Sequence, residues 1–479
     1  MFDSAQLAVQ GALDAGATYA DARFVISRGE TIDVQNGNLT QLDRTEQAGI
    51  GVRALIGSSW GFSATADIGV DPVRTAGERA AAIAKASAIV PGPPIDFADV
   101  PVHQTTWSTP VDEDPFDVPL SEKVDMLVAV TKTMHGVEGI DVATGSLAFW
   151  STEKWFVSSQ GHRIHQNIVE SGGGFDATAI GENETQRRSY PQSFGQYETG
   201  GYERIRAWDY EANALRIAEE AVALLTADEM EERETSLILE ASQLALQIHE
   251  SVGHAIELDR ILGWEAAFAG TSHLELSKLG SHRYGSELMN VTADATLTGA
   301  LGTFGFDDEG TPAQRVDIVK DGTWVGVLSG RDSAAIAGLP PGGMVRADGY
   351  NRLPMVRMTN VGLLPGSGTL EDIISDTDDG VYMSTNRSWS IDDRRLNFQF
   401  GTEIAWEITN GEIGKMLKNP TYTGITPRFW GGLDRLAGES ERVHWGTPNC
   451  GKGQPMQVAH TGHSASPARF ANVRMGVRG

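Results

Sequence analysis

Cysteine is almost absent: Cys450 is the only one in 479 residues. One thiol excludes a disulfide framework and fits a reducing compartment. No run of about 18 apolar residues occurs, so no segment reads as a spanning helix. The N-terminal stretch lacks a basic segment followed by an apolar one, so it does not read as a secretory signal. Positive charge is also scarce, with 38 Lys and Arg against 64 Asp and Glu and a formal charge of −26. That excess repels phosphate backbones and anionic lipid, which argues against a nucleic-acid partner or a membrane surface. Apolar residues make up 40% of the chain, too many for a disordered polyelectrolyte. The expectation is an acidic, cytoplasmic, globular protein long enough for two or three domains.

Glycine, by contrast, is plentiful at 55 and recurs between short β-branched runs, the pattern of many strands joined by tight turns. Helices are expected over residues 4–15, 71–90, 120–135 and 210–225, with Asp71 as a cap and Pro72 in the first turn. Asn36-Gly37 between 31–34 and 39–42 is a strong hairpin signal. Seven of the nineteen prolines fall between 91 and 119, which reads as an extended connector. Helix, meander, helix then recurs after it, without residue-level identity between the two copies. A second domain is expected from 234, with a strand over 235–239, Ser242 as N-cap and one long helix over 244–262. Beyond 271 the pattern is nearly all β. The fold class is therefore α+β: an N-terminal α/β meander domain (1–233, connector 91–119) and a mostly β, barrel- or sandwich-like C-terminal domain (234–479) that carries the conspicuous helix.

That helix contains His249-Glu250-Ser251-Val252-Gly253-His254, an H-E-x-x-x-H. In the metallopeptidase pattern H-E-x-x-H, two histidines four apart share one helix face and the Glu acts as base. Five residues on an ideal α-helix leave the two side chains about 140° apart, too far round for one ion. A local π-turn would reduce the separation to roughly 50°, and Gly253 makes that widening easier. So His249 and His254 chelate only from a distorted helix; otherwise they are unrelated helix histidines. A catalytic zinc needs a third protein ligand, and Cys450 is the candidate. Its neighbours Pro448, Asn449 and Gly451 are turn formers, which suggests a loop in which Lys452 favours the thiolate. Equally, a lone cysteine is often a small buried hydrophobe.

The segment from Leu244 to Glu257 resembles the signature of the TldD/PmbA metallopeptidases. So do Asp307-Asp308-Glu309-Gly310-Thr311-Pro312, Pro354-Met355-Val356-Arg357-Met358-Thr359-Asn360 and Cys450-Gly451-Lys452. Ala20-Asp21-Ala22-Arg23-Phe24 and Gly49-Ile50-Gly51-Val52-Arg53 fit less specifically. The chain keeps the histidine motif and so resembles the metal-bearing TldD-type subunit. The resemblance implies a peptidase with one divalent ion, zinc, held by His249, His254 and Cys450, and with Glu250 as general base. It also implies a two-subunit assembly, with a PmbA-type homologue or a second copy. The many short strands of the second half offer edges to an extended chain, so short or unfolded peptides are the expected substrates. The alternative is a metal-stabilised scaffold that binds peptides or a partner without hydrolysis; a fourth protein ligand such as His460 or His463 would favour it.

Other constellations read as structural. Asp307, Asp308 and Glu309 look like a turn whose carboxylates cap N–H groups. Asp376, Asp378 and Asp379 lack the terminal Glu of a calcium loop. Gly172-Gly173-Gly174 has no following Lys-Ser/Thr for a phosphate loop. Arg187-Arg188 and Arg394-Arg395 read as surface charge, and His463 as an exposed loop histidine.

Overall fold

The computed structural model describes residues 1–90 and 95–477. Pro91, Pro93 and Pro94, counted into the connector, lie outside the described residues. The N-terminal half is an eight-stranded sheet built on long strands. Tyr19–Gln35 turns at Asn36-Gly37 into Asn38–Ile56. Both turn residues have positive φ, 49° and 76°, the conformation for which Asn-Gly is selected. Where the sequence suggests separate short runs, Ile140–Ser158 and Arg163–Ile180 are continuous strands of 19 and 18 residues. The central path runs 59–65, 38–56, 19–35, 140–158, 163–180, 104–108.

Alternation along Tyr19–Gln35 assigns its two faces. Ala20, Ala22 and Phe24 pack with Phe2–Asp14 and Val70–Ser87, while Ile32 and Val34 pack with Leu120–His135 and Tyr210–Leu224. Asp21 and Arg23 point the other way, towards the C-terminal half. Asp71 is not the cap expected for the second helix: Val70 already lies within it, Gly69 caps it, and Asp67 accepts from the Gly69 N–H.

In the C-terminal half, strand Arg233–Leu239 pairs with Asp379–Ile391 and Ala468–Met475; Thr421–Ile425 and Asn397–Thr409 complete the path. Asp379–Ile391 also pairs with Asn397–Thr409, and that pairing closes a five-stranded barrel. Leu237, Leu239, Val381, Met383, Phe400, Tyr422 and Phe470 share one core with Leu244, Ile248 and Val252 of the helix that follows the first strand. Every residue from Ala241 to Ile256 is buried, so its polar groups need internal partners. Gln243 donates to Tyr422 Oη (2.9 Å), Trp430 to Ser251 Oγ (2.9 Å), and Tyr284 to the Ser251 carbonyl (2.6 Å).

The expected single helix over 244–262 is replaced by three pieces: α-helix Ala241–Ile248, a π-turn His249–Gly253, and a short helix Leu258–Ile261. Glu257, at φ −67° and ψ 118°, breaks the run. Its neighbour Leu258 gives its N–H to the Leu328 carbonyl instead of continuing the helix. Ser242 is inside the helix; Glu240 caps it and accepts from the Ser242 N–H at 2.8 Å. No helix among the described residues is long and apolar enough to cross a membrane.

Candidate metal centre

The π-turn decides which way the two histidines face. The His254 N–H bonds the His249 carbonyl at 3.2 Å, an i to i−5 bond that widens the turn. The imidazole centroids come to 4.9 Å apart instead of diverging. Gly253 is needed for a second reason: a Cβ there would sit 2.1 Å from the Met358 sulfur. Met358 lies in the block Pro354–Asn360 that flanks the site.

Cys450 meets them from the other side, in the strand Val443–Lys452, not in a loop. Its pairing with Gln457–Ala465 slips between Thr447 and Cys450. The turn formers Pro448 and Asn449 occupy that bulge, a position where a strand tolerates proline. The Cys450 sulfur lies 3.7 Å from His254 Nε2. One ligand atom from each of His249, His254 and Cys450 falls within 4.8 Å of the others, so the three could hold one ion.

Hydrogen bonding fixes the tautomers. His463 Nδ1 is 2.9 Å from the Val361 carbonyl, which can only accept. Burial and the neighbouring His249 hold His463 well below its ordinary pKa, so its ring is neutral and its Nε2 is an acceptor. His249 Nδ1, 2.7 Å away, therefore donates to it and keeps its own Nε2 lone pair free. His254 donates Nδ1–H to Glu257 (2.9 Å), which leaves its Nε2 lone pair towards Cys450. Burial would raise Glu257, but Lys452, His254 and Arg260 outweigh it and hold the carboxylate ionised. Both imidazoles are themselves lowered by burial, so both are neutral donors. The thiol follows the same logic. Burial pushes it up, His254 and Arg357 pull it down, and the net shift is downward.

Glu250 lines the same cleft, of about 390 Å³, together with His249, His254, Cys450, Trp389 and Arg395. Arg395 Nη1 lies 2.5 Å from its Oε2. The aromatic rings of Phe194 and Trp389 meet edge to face at 5.7 Å on the cleft wall.

Profiles of the PmbA/TldA metallopeptidase domain 1, central domain and C-terminal domain match residues 20–88, 113–227 and 232–472. This chain belongs to the TldD/PmbA metallopeptidases. A metalloprotease of Methanocaldococcus jannaschii is 28% identical over 408 residues, 85% of this chain and 86% of the relative. A metalloprotease of Methanothermobacter thermautotrophicus is 28% identical over 462 residues, covering 96% and 95%. A metalloprotease TldD homolog of Buchnera aphidicola is 26% identical over 457 residues, covering 92% and 89%. Among solved structures, a Thermotoga maritima protein described as a candidate DNA gyrase modulator superposes with a TM-score of 0.77 at 17% identity, covering 99% of both chains. TldE from Thermococcus kodakarensis gives 0.69 at 16%, covering 98% and 99%. At those identities the superpositions speak to the fold alone.

Several residues in and around this cluster escape a reading of the sequence. His463 is buried against His249 and is not an exposed loop histidine. Arg395 enters the cleft and Arg188 is buried between Glu220 and Glu403, so neither is surface charge. Lys452 turns away from Cys450 to Glu257 and Asp259, at 3.2 and 2.8 Å. Arg357, for which the sequence suggests no role, donates to the Cys450 carbonyl. His460 bonds Glu170 (2.8 Å) and lies against Trp150, outside the cluster. The only available signal was that His463 falls an even number of residues from the strand's other inward positions.

Proposed function

We propose that this chain is the metal-bearing, TldD-type subunit of a zinc peptidase, with His249, His254 and Cys450 as ligands and Glu250 as general base. The carrying observation is the convergence of two imidazoles, each oriented by a hydrogen bond at Nδ1, and the Cys450 sulfur on one cleft beside a carboxylate. Two nitrogens and a sulfur fit zinc better than a hard, oxygen-seeking cation. When bound, the ion would supply Lewis acidity. Glu250 would take a proton from the attacking water and return it to the leaving amine. Among the described residues only three groups cluster, and His463 is spent on His249. The open position favours catalysis over the scaffold reading, which needs a fourth ligand.

Extended, unfolded peptides are the substrate class this reading favours. Strand Asp379–Ile391 pairs with 236–239 only over 380–383, whereas its residues 388–391, at the cleft, pair on one side with 398–401. The other edge of 388–391 has no strand partner among the described residues, and such an edge accepts a peptide through backbone bonds that any sequence offers. A folded domain would first have to unfold, at about 5–15 kcal/mol. A PmbA-type homologue or a second copy is the proposed partner, and the lone thiol suits a reducing, cytoplasmic setting.

Metal analysis of purified wild type beside Cys450→Ala tests the centre. The expectation is about one equivalent of zinc in wild type and a large loss in the variant. Full retention in Cys450→Ala would remove that residue from the site. Equal cleavage of one polypeptide in folded and destabilised forms would reject the substrate class while leaving the metal chemistry standing.

A further inference from the structure

Arg395 sits on the connection between strands Asp379–Ile391 and Asn397–Thr409, at φ +60°, a conformation that costs a non-glycine residue energy unless its surroundings impose it. Here they do. Asp392 accepts from the N–H groups of Arg395 (2.9 Å), Leu396 (2.8 Å) and Asn397 (3.1 Å). Thr426 donates to the Arg395 carbonyl at 2.8 Å. The N–H groups of Thr271 and His273 hold the Asp393 and Arg394 carbonyls at 3.0 and 2.8 Å. A turn so heavily bonded fixes the guanidinium in the cleft beside His249, His254 and Cys450. One arm of that guanidinium, Nη1, is on Glu250. Its Nε is buried and has no hydrogen-bond partner among the described residues.

We propose that Arg395 is a catalytic residue whose Nε–H donates to the oxygen of the scissile carbonyl as that oxygen becomes negative. The proposal rests on the peptidase reading above. In the step concerned, Glu250 removes a proton from water, the water oxygen bonds the carbonyl carbon, and the C=O π pair moves onto oxygen. Collapse restores the carbonyl, breaks the C–N bond, and passes the proton from Glu250 to the departing nitrogen. Negative charge thus leaves Glu250 and arrives on the substrate oxygen, and Arg395 borders both places. Only an interaction stronger in the transition state than before it accelerates the reaction. The Nε–H meets that condition, because it lacks a partner beforehand and gains a charged one as the oxyanion forms. A thiolate ligand donates charge to a metal and weakens its pull on the carbonyl, which leaves more for a fixed donor to do.

The test uses a fluorogenic disordered peptide cleaved by the zinc-loaded wild type, and a phosphinic peptide of the same sequence whose tetrahedral P–O⁻ imitates the oxyanion. Arg395→Ala should keep wild-type zinc content and a KM within a few-fold, but lose about 10² to 10³ in kcat, the usual effect of removing one such donor. By calorimetry, its affinity for the phosphinic peptide should fall by a similar factor, with binding of the hydrolysed product little changed. Millimolar guanidinium should restore part of the rate. Should Arg395→Ala not fold, Arg395→Lys carries the test, since it keeps the charge and removes the fork. Unchanged phosphinic-peptide binding in a zinc-replete variant would overturn the proposal and reduce Arg395 to a support for Glu250. A loss confined to peptides with a free C-terminal carboxylate, absent from amidated ones, would overturn it in favour of carboxylate binding. A wild type that neither cleaves the peptide nor binds the phosphinic analogue would instead refute the peptidase reading itself.

Discussion

A carboxylate beside two metal-ligating imidazoles can serve as ligand or as base, and its partners separate the two roles. Glu250 is engaged by Arg395 and stands outside the His249–His254–Cys450 cluster, so replacing its charge should spare the ion. Glu250→Gln is expected to retain zinc and to lose about 10² to 10⁴ in rate, the usual span for general-base catalysis. His249→Ala is expected to lose both zinc and rate. Zinc content and turnover measured on the same preparations check this, and an active Glu250→Gln would remove the base assignment. At this scale His249, Glu250 and His254 were legible because one short motif brings chemically matched residues together. Cys450 was legible by scarcity. His463 and Arg395 were not, because their contacts reach across 214 and 145 residues of chain that spacing does not encode; Glu257, three residues from His254, was hidden because the apolar pattern runs on past it as if the helix continued.

The π-turn is the element on which the centre depends, and the H-E-x-x-x-H spacing makes it the condition for the two histidines to share an ion. What spacing could not supply was the reason for Gly253: Met358 fills the space a side chain would need. Gly253→Ala is therefore expected to cost about 1–3 kcal/mol by overpacking and to lower zinc occupancy as the turn shifts. Pairing it with Met358→Ala should recover part of both losses, read as the urea midpoint and the zinc content. A Gly253→Ala protein with wild-type values would show that the turn does not need the glycine. The end of this helix is hidden in the sequence for a related reason. The apolar pattern runs on past 256, but Glu257 is worth more to the fold as the acceptor for His254, with Lys452 and Arg260 beside it, than as a helix residue. The sequence points Cys450 to a loop because Pro448 and Asn449 look the same in a turn and in a bulge.

Across the whole molecule, alternation and glycine spacing made the α+β class and the β-rich second half readable, while barrel closure was not, since it depends on strands 379–391 and 397–409 pairing with each other as well as with outer neighbours. The acidic triplet is one of the places where the halves are joined, alongside Arg188–Glu403 and His460–Glu170. Asp307 accepts from the N–H groups of Glu309 and Thr311, the turn role its sequence suggests. Asp308 goes further: fully buried, it receives Arg23 at 3.2 Å, Lys154, and the Ala347 N–H at 2.8 Å. Glu309 meets Arg53 at 3.0 Å, and Arg53 also holds Asp21. Burial would raise the Asp308 pKa, but Lys154 and Arg23 prevail and hold it below the ordinary value. A carboxylate depressed in the folded state binds its proton more readily when unfolded, so its contribution is complete at neutral pH. That contribution is lost as the pH falls below about 4 and through the folded-state pKa. Asp308→Asn removes the anion and leaves Arg23 and Lys154 facing each other without it, a change that costs about 3–5 kcal/mol in comparable buried pairs. The expected outcome is a lower urea midpoint at pH 7, a flatter stability profile below pH 4, and faster protease cutting around 225–233, where one half passes into the other. An unchanged midpoint would show that the two halves are held by their other contacts and that this buried cluster adds nothing to their union.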